Sequence, residues 1–280
     1  MTLSALKKQV LERLKTKFTP AESQYLFTQL GSQLFNTNRA NLHLLGSQNL
    51  TAAEAQFFTD AVTRLLASEP LQYVLGEANF YGLQFKVNNK VLVPRPETEE
   101  LVAWILDENP DAQHNILDLC TGSGCIAIAL ATNLPRARVT AIELSQDAIA
   151  VAKENARNNK VAVRFLQADV FTLAPMPNKQ DIIVSNPPYV RDTERKYMQA
   201  NVLDYEPELA LFVPDSDPLK YYKAIGKYAV GQLTPNGSLF LEINEYLSKE
   251  LITLLSDFGF STIELKHDLS QKPRMIKCKL

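Results

Sequence analysis

The ten residues from Asp181 to Val190 constrain this chain more than any other stretch. Ile182, Ile183 and Val184 are apolar and β-branched, as expected for a strand buried on both faces of a parallel sheet. Asn186-Pro187-Pro188-Tyr189 then ends the strand abruptly, because proline fixes φ and has no N–H for the ladder. Ligands of open α/β sheets bind beyond the carboxyl ends of the strands, so we expect this tetrapeptide to face a binding crevice.

The same tetrapeptide is chemically suited to hold a planar NH₂ group. The Asn186 carboxamide oxygen and a backbone carbonyl of the turn can accept two hydrogen bonds from such a group. The Tyr189 ring can stack on its face. A rigid strand-to-loop turn without chemistry is the alternative, and the complete tetrapeptide after a buried strand favours a site.

Strands and helices alternate regularly through the second half of the chain. A long polar segment, Arg191 to Pro218, interrupts them; its length and its place after the tetrapeptide suggest a lid or substrate-gripping loop. The pattern predicts an α/β domain with a mostly parallel sheet. The predicted strands are 116–120, 138–144, 163–167, 182–184, 238–243, 262–266 and 274–279, and the predicted helices are 125–133, 148–159, 219–233 and 246–258.

Residues 1–70 read as a small N-terminal helical bundle whose outer face could dock a partner. Capping boxes at Thr19 to Glu22 and at Thr51 to Glu54 each precede an apolar stripe of helical spacing. Residues 71–94 are predicted to connect this bundle to the α/β domain. Within the connection, two short strand-like runs flank Asn88-Asn89, which predicts a β-hairpin turning there.

The segment from Asp118 to Ala127 has the pattern of a cofactor loop. It follows a strand and opens a helix, and Gly122 and Gly124 allow a sharp turn with close backbone approach to an anionic group. Glu143, 19 residues beyond Gly124, is placed to accept hydrogen bonds from ribose hydroxyls. This loop and the Glu143 carboxylate suit nicotinamide cofactors and S-adenosylmethionine equally. The Asn186 turn favours S-adenosylmethionine, since methyl transfer to a planar nitrogen needs such a turn and hydride transfer does not.

With these motifs the sequence resembles the release-factor glutamine methyltransferases, the HemK/PrmC family, over essentially its whole length. The turn at Asn186 also occurs in adenine methyltransferases, whereas Pro94-Arg95-Pro96-Glu97-Thr98-Glu99 joined to a helical N-terminal domain is more specific. Two departures stand out: Cys120 replaces the usual glycine, and Ser270 to Arg274 lacks the usual Gly-Arg pair. The matching stretches are Gln72-Tyr73 with Gly76, Phe80 to Leu83, Val91 to Glu99, Asp118 to Gly124 and Asn186 to Tyr189.

The resemblance implies a Rossmann-like S-adenosylmethionine-dependent methyltransferase domain over residues 95–280, with a mostly parallel seven-stranded sheet. It implies methylation of the glutamine side-chain amide in the Gly-Gly-Gln motif of peptide-chain release factors, and a bundle that docks them. The implied cofactor contacts are Cys120, Thr121, Gly122, Ser123, Gly124, Glu143, Asp169, Val170 and Asn186. The implied catalytic and substrate contacts are Asn186, Pro187, Pro188 and Tyr189, with Arg95 added for the substrate.

Composition bounds the remaining possibilities. The net charge of −2 offers no global reason to bind nucleic acid, which counts against the runner-up, an adenine-amino DNA or RNA methyltransferase. A cofactor-binding regulator without catalysis is the other alternative, disfavoured by the intact Asn186 turn. Cys120, Cys125 and Cys278 suit a reduced cytoplasmic setting, and we expect neither a metal site nor a membrane span.

Overall fold

The computed structural model describes residues 1–110 and 113–280, which form two compact units. The helical unit comprises Met1–Gly76 with Gln199–Tyr205. The sheet unit comprises Glu77–Met198 with Glu206–Leu280. The division thus falls at Gly76, inside the stretch that the sequence predicts to be the connection.

The helical unit is built on amphipathic helices with defined starts. Thr19 and Thr51 each accept a hydrogen bond from the backbone N–H three residues on, and the glutamate there accepts one in return, so both predicted capping boxes form. The rings of Phe27 and Phe58 stack 5.3 Å apart in its core. The helices are α1 (Leu3–Leu14), α2 (Pro20–Leu34), α3 (Arg39–Leu44), α4 (Ala52–Leu66) and α5 (Leu71–Leu75).

A two-stranded hairpin opens the sheet unit, with β1 at Glu77–Phe80 and β2 at Leu83–Lys86. Its two turn residues, Tyr81 and Gly82, have φ of 49° and 73°. Positive φ at both central positions is the requirement of a type I′ turn, which matches the twist of the flanking strands. The turn predicted at Asn88-Asn89 is therefore wrong. Asn88 instead accepts a hydrogen bond from the Lys90 backbone at 2.9 Å, a local turn outside any hairpin.

The sheet unit contains seven further strands that form one sheet: β3 (Asn115–Leu119), β4 (Arg138–Glu143), β5 (Val163–Gln167), β6 (Gln180–Ser185), β9 (Leu233–Glu242), β10 (Thr262–His267) and β11 (Pro273–Lys279). They pair in the order β10-β11-β9-β6-β3-β4-β5, parallel except where β11 runs antiparallel to its neighbours. This confirms the predicted fold class. The helices are α6 (Pro96–Glu108), α7 (Cys125–Asn133), α8 (Gln146–Asn158), α10 (Lys220–Gln232) and α11 (Ser248–Asp257).

The long segment after β6 is folded into short elements. Strands β7 (Val190–Arg191) and β8 (Phe212–Val213) pair in parallel, and helix α9 spans Ala200–Leu203. Its role as a lid stays a prediction. Across the part of the chain that the structure describes, no helix has both the length and the apolar character needed to cross a bilayer.

Asn155 in α8 is a fully buried polar side chain that ties three segments together. Its Oδ1 accepts a hydrogen bond from the Lys86 backbone N–H at 2.7 Å, and its Nδ2 donates to the Lys86 carbonyl at 3.0 Å. The same Nδ2 donates to the Ser123 carbonyl at 2.9 Å. One amide therefore holds the hairpin and the loop after β3 against α8.

Replacing Asn155 with alanine should lower the free energy of unfolding by about 3 kcal/mol, because each buried peptide group left unpaired costs about 1–3 kcal/mol. The matched control is Asn159→Ala, one helical turn later, whose Nδ2 donates to the Gln84 carbonyl at an exposed position. That change should cost less than about 1 kcal/mol. Urea unfolding of the three proteins measures both values, and equal losses would contradict the bridging role of Asn155.

Candidate functional site

The register of the sheet aligns the carboxyl ends of four neighbouring strands. Leu119 of β3 pairs with Ser185 of β6 on one side and with Ile142 of β4 on the other. Ser185 in turn pairs with Leu241 of β9. The residues that come next therefore lie side by side along one edge, in the order Glu242, Asn186, Cys120 and Glu143. The order of the strands reverses between β3 and β6, where open α/β sheets bind their ligands.

A cavity of about 330 Å³ opens along this edge, within the size range of small-molecule sites. Pro187 and Tyr189 of the predicted turn and Gly124 of the predicted loop lie outside its lining. Apart from the predicted site residues, most of the residues that line the cavity are apolar. The predicted site residues that line it are Arg95, Cys120, Thr121, Gly122, Ser123, Glu143, Asp169, Val170, Asn186 and Pro188.

Glu143 shapes the loop beside it. One carboxylate oxygen accepts a hydrogen bond from the Gly122 N–H at 2.9 Å, and the other accepts from Leu144 and Ser145 at 2.9 and 3.0 Å. A Cβ at Gly124 would meet the Ile128 side chain at 3.0 Å, so the loop packs closely on α7. The side chain of Glu143 thus sits at the cavity wall with its orientation fixed by three backbone donors.

Cys120 has φ of 62°, in the left-handed region that favours glycine. This is the position where the resemblance leads one to expect glycine, so the departure places a side chain on strained backbone. Burial raises the pKa of the Cys120 thiol, which keeps the thiol protonated at neutral pH. Cys120 is therefore a wall residue rather than a thiolate nucleophile.

Asp118 lies beneath the loop and is fully buried. Burial raises the pKa of its carboxyl to about 7, and the hydrogen bond that Thr121 Oγ1 donates to it opposes that rise. The contact ties the first residue after Cys120 to the strand below. Asp118 supports the loop from within and does not line the cavity.

Asn186 is held by a chain of hydrogen bonds between buried side chains. Its Nδ2 donates to Thr98 Oγ1 at 3.2 Å, and Thr98 Oγ1 donates to Glu242 Oε2 at 2.6 Å. The other carboxylate oxygen of Glu242 accepts from the Tyr189 hydroxyl at 2.9 Å. Tyr189 thus turns its hydroxyl to the interior, and its stacking on a substrate group stays a prediction.

Arg95 is paired rather than free. Its Nη2 lies 2.6 Å from Glu206 Oε1, and Glu206 is only 4% exposed. Glu206 also accepts a hydrogen bond from the Val93 N–H at 3.1 Å. The pair fixes the chain that follows Glu206, where Pro207 and Leu209 line the cavity. Contact between Arg95 and a substrate stays a prediction.

At the far end of the cavity, Asp169 and Val170 are accompanied by two rings that the sequence analysis missed. The centroids of Phe171 and Tyr221 lie 4.9 Å apart, and Lys220 Nζ lies 5.2 and 5.1 Å from them. Phe171 could have been predicted from the sequence, because it is an aromatic residue two positions after the predicted cofactor contact Asp169. The two rings are tilted by 45° to each other, and each gives this end of the cavity an aromatic face on which a planar heterocycle can pack.

Thr98 and Glu242 were also missed as site residues. Glu242 had a readable signal, because a carboxylate between Leu241 and Ile243 interrupts an apolar run that forms a buried strand. Glu206 and Asn155 had no local signal, since their partners lie 111 and 69 residues away. Among residues 1–110 and 113–280, no group of three or more His, Cys, Asp or Glu side chains is arranged to hold a metal ion.

Comparison with known proteins is consistent with this geometry. The PrmC N-terminal domain model matches residues 8–76, and the methyltransferase small domain model matches residues 98–204. The release factor glutamine methyltransferase of Flavobacterium psychrophilum is 42% identical over 99% of both chains. That of Bacteroides thetaiotaomicron is 39% identical over 95% of this chain and 96% of its own.

A solved structure shares the fold at low identity. The hMettl16 catalytic domain in complex with MAT2A 3'UTR hairpin 6 is 14% identical, with a TM-score of 0.58 over 82% of this chain and 83% of its own. At that identity the likeness shows the fold alone. The sheet unit therefore has the architecture of a methyltransferase domain.

The strain at Cys120 has a measurable consequence. In left-handed backbone glycine is favoured over alanine by about 1 kcal/mol or more, the reverse of the ordinary order. Cys120→Gly should therefore have a higher free energy of unfolding than Cys120→Ala by about 1 kcal/mol. The same pair of substitutions at Cys278, in the extended strand β11, is the control and should show alanine as the more stable. Urea unfolding of the four variants measures these differences. A more stable alanine variant at both sites would contradict strain at Cys120.

Proposed function

The chain belongs to the release factor glutamine methyltransferases, and we propose that it methylates the glutamine of the Gly-Gly-Gln motif in peptide-chain release factors and so modulates translation termination. The methyl would move from the sulfonium of S-adenosylmethionine to the side-chain amide nitrogen, the S–C bond breaking as the N–C bond forms. S-adenosylhomocysteine would leave, and the nitrogen would lose one proton to solvent. The observation that carries the proposal is the position of Asn186. It lines the same cavity as Glu143 and the loop after β3. This supports the proposal, because the oxygen that would accept from the substrate amide lies beside the residues that would hold the cofactor.

The residues present fit S-adenosylmethionine. The loop from Cys120 to Gly124 and the start of α7 would hold the methionine part, and the Glu143 carboxylate would accept hydrogen bonds from ribose hydroxyls. Asp169 and Val170 would flank the adenine, against the aromatic face that Phe171 provides. When bound, this group supplies a methyl on a sulfonium, a strong electrophile.

The chain's part in the reaction is to position a weak nucleophile. An amide nitrogen reacts poorly because its lone pair is delocalised into the carbonyl. Asn186 Oδ1 would accept one of its N–H groups. The Pro187 carbonyl, which the resemblance implies as the second acceptor although Pro187 lies outside the cavity lining, would accept the other. Two such bonds would fix the nitrogen in line with the methyl and favour electron density there. Such positioning can supply about 7–11 kcal/mol when the geometry is right.

Labelled methyl transfer tests the proposal directly. Purified release factor, adenine-containing duplex DNA and the corresponding single strand are offered separately with labelled S-adenosylmethionine. Label in the glutamine of the release factor is the expected result. Label in nucleic acid alone would contradict the proposal and make the chain an adenine-amino methyltransferase.

Replacing Asn186 with alanine should slow methyl transfer by at least about a hundredfold while leaving cofactor affinity near wild type, because the lost acceptor acts mainly in the transition state. Asn186→Asp keeps an oxygen acceptor and should retain more activity than alanine, despite the cost of burying its charge. Single-turnover transfer at saturating cofactor and calorimetry give the two quantities. If the Asn186→Ala protein transferred methyl as fast as wild type, Asn186 would be only part of a rigid turn and would have no catalytic role.

We also propose that the helical unit docks the release factor. A groove among α1, α2 and α3 supports this, because it combines the apolar Phe27 with positively charged Lys7, Lys8 and Arg39. Of the described residues that line it, none is acidic. Such a groove fits an acidic, partly apolar surface, and the charge would act mostly on the association rate.

Reversing two charges tests the docking groove. Lys8→Glu with Arg39→Glu should raise the KM for release factor about tenfold or more at low salt, with less effect at high salt. The control carries the same charge change at exposed positions outside the groove, Lys15→Glu with Lys153→Glu, and should shift KM much less. Steady-state kinetics at two salt concentrations measures the difference. Equal shifts of KM in the two variants would show that the groove does not dock the release factor.

A further inference from the structure

Glu242 is a buried carboxylate that the reaction as proposed leaves without a role. It is 1% exposed, and Thr98 beside it is 2% exposed. The groups around it are donors and a cation: the hydroxyls of Thr98 and Tyr189, and the positive charge of Arg274. Burial, the largest effect, raises the pKa of the carboxyl; the negative charge of Glu97 adds to that rise, and the three groups named above oppose it. In its ionised form, with two hydroxyls donating to it and a cation beside it, the carboxylate can only accept hydrogen bonds.

The carboxylate determines the direction of the hydrogen-bond chain. Thr98 has a single hydroxyl proton, and it is committed to Glu242 Oε2 at 2.6 Å. Thr98 Oγ1 can then only accept from Asn186. The Asn186 amide must therefore turn its NH₂ group toward Thr98, which leaves its Oδ1 toward the cavity. With Glu242 ionised, this orientation follows from the number of protons and does not depend on how the amide atoms are assigned.

We propose that Glu242, acting through Thr98, is a positioning residue that keeps the acceptor oxygen of Asn186 facing the substrate nitrogen. The inference rests on the proposed function, because it concerns the same glutamine amide. A flipped Asn186 would present N–H donors to N–H donors, which repel each other and leave the nitrogen without an acceptor. The side chain of asparagine has two nearly isosteric orientations, so a fixed partner is needed to choose one.

Thr98→Val tests the hydrogen-bond chain from Glu242 to Asn186, because valine keeps the shape of the threonine side chain and removes its hydroxyl. The expected result is a fall in kcat of more than about tenfold at saturating cofactor and release factor, with unchanged cofactor affinity. Thr98→Ser keeps the hydroxyl and should stay within about threefold of wild type. In an Asn186→Ala background, Thr98→Val should change the rate by less than about twofold, since residues that act through one another are not additive.

The matched control is Thr234→Val at the opposite end of β9. Thr234 Oγ1 donates to Asp181 Oδ1 at 3.1 Å, so this change breaks another threonine–carboxylate bond that involves β9, here to β6 and away from the cavity. Its rate should stay within about twofold of wild type. A Thr98→Val rate equal to wild type, or equally reduced with and without Asn186, would overturn the inference. A wild-type protein that methylates nucleic acid instead of release factor would overturn the proposed function first.

A measurement on the unmodified protein keeps the inference testable if Thr98→Val does not fold. In the full chain with S-adenosylmethionine bound, one Nδ2 proton of Asn186 should exchange slowly with solvent, because it is bonded to Thr98. Nitrogen-15 NMR of the side-chain amides measures this exchange, with exposed Asn89 as the reference for fast exchange. Fast exchange of both Asn186 protons would show an amide not held by Thr98 and would overturn the inference.

Discussion

The parallel pairing of β3 with β6 is the constraint on which the rest of the site depends. Because Leu119 lies opposite Ser185, the loop that starts at Cys120 and the turn that starts at Asn186 leave the sheet together. A slip of one residue would turn the side chains of β6 to the opposite faces of the sheet. The strands are buried on both faces, so apolar packing specifies this register strongly. The chemistry at the edge is thus set by the core beneath it.

Buried polar groups convert that edge into a defined site. Asn155 holds the loop, Glu206 holds Arg95 and the chain after it, and Glu242 holds Thr98 and Tyr189. Each has its partners far away in sequence and close in space. An unpaired buried polar group costs more than a paired one returns, so each network is stable only when complete. These groups hold residues of the cavity wall in place and do not line the cavity themselves.

The sequence predicts well what local patterns decide. Helix α7 and strand β5 have the predicted bounds, because Gly124 and Pro135 flank α7 and a short run rich in strand-forming residues marks β5. The hairpin was misplaced, because Asn88-Asn89 looks like a turn pair and Tyr81 does not, although Tyr81 takes the left-handed conformation. The support of Asn186 by Thr98 could not be predicted, since it depends on how α6 packs against the ends of β6 and β9. Local chemistry is readable from one sequence, whereas partners across the sheet require the fold.

A crystal structure of the protein with S-adenosylhomocysteine and free glutamine would show whether the cavity holds both groups as proposed. We expect ribose hydroxyls within hydrogen-bond distance of Glu143 and the adenine beside Val170. We expect the glutamine amide nitrogen within hydrogen-bond distance of Asn186 Oδ1, facing the sulfur from which the methyl has left. A glutamine bound elsewhere, or an amide nitrogen turned away from Asn186, would refute this arrangement.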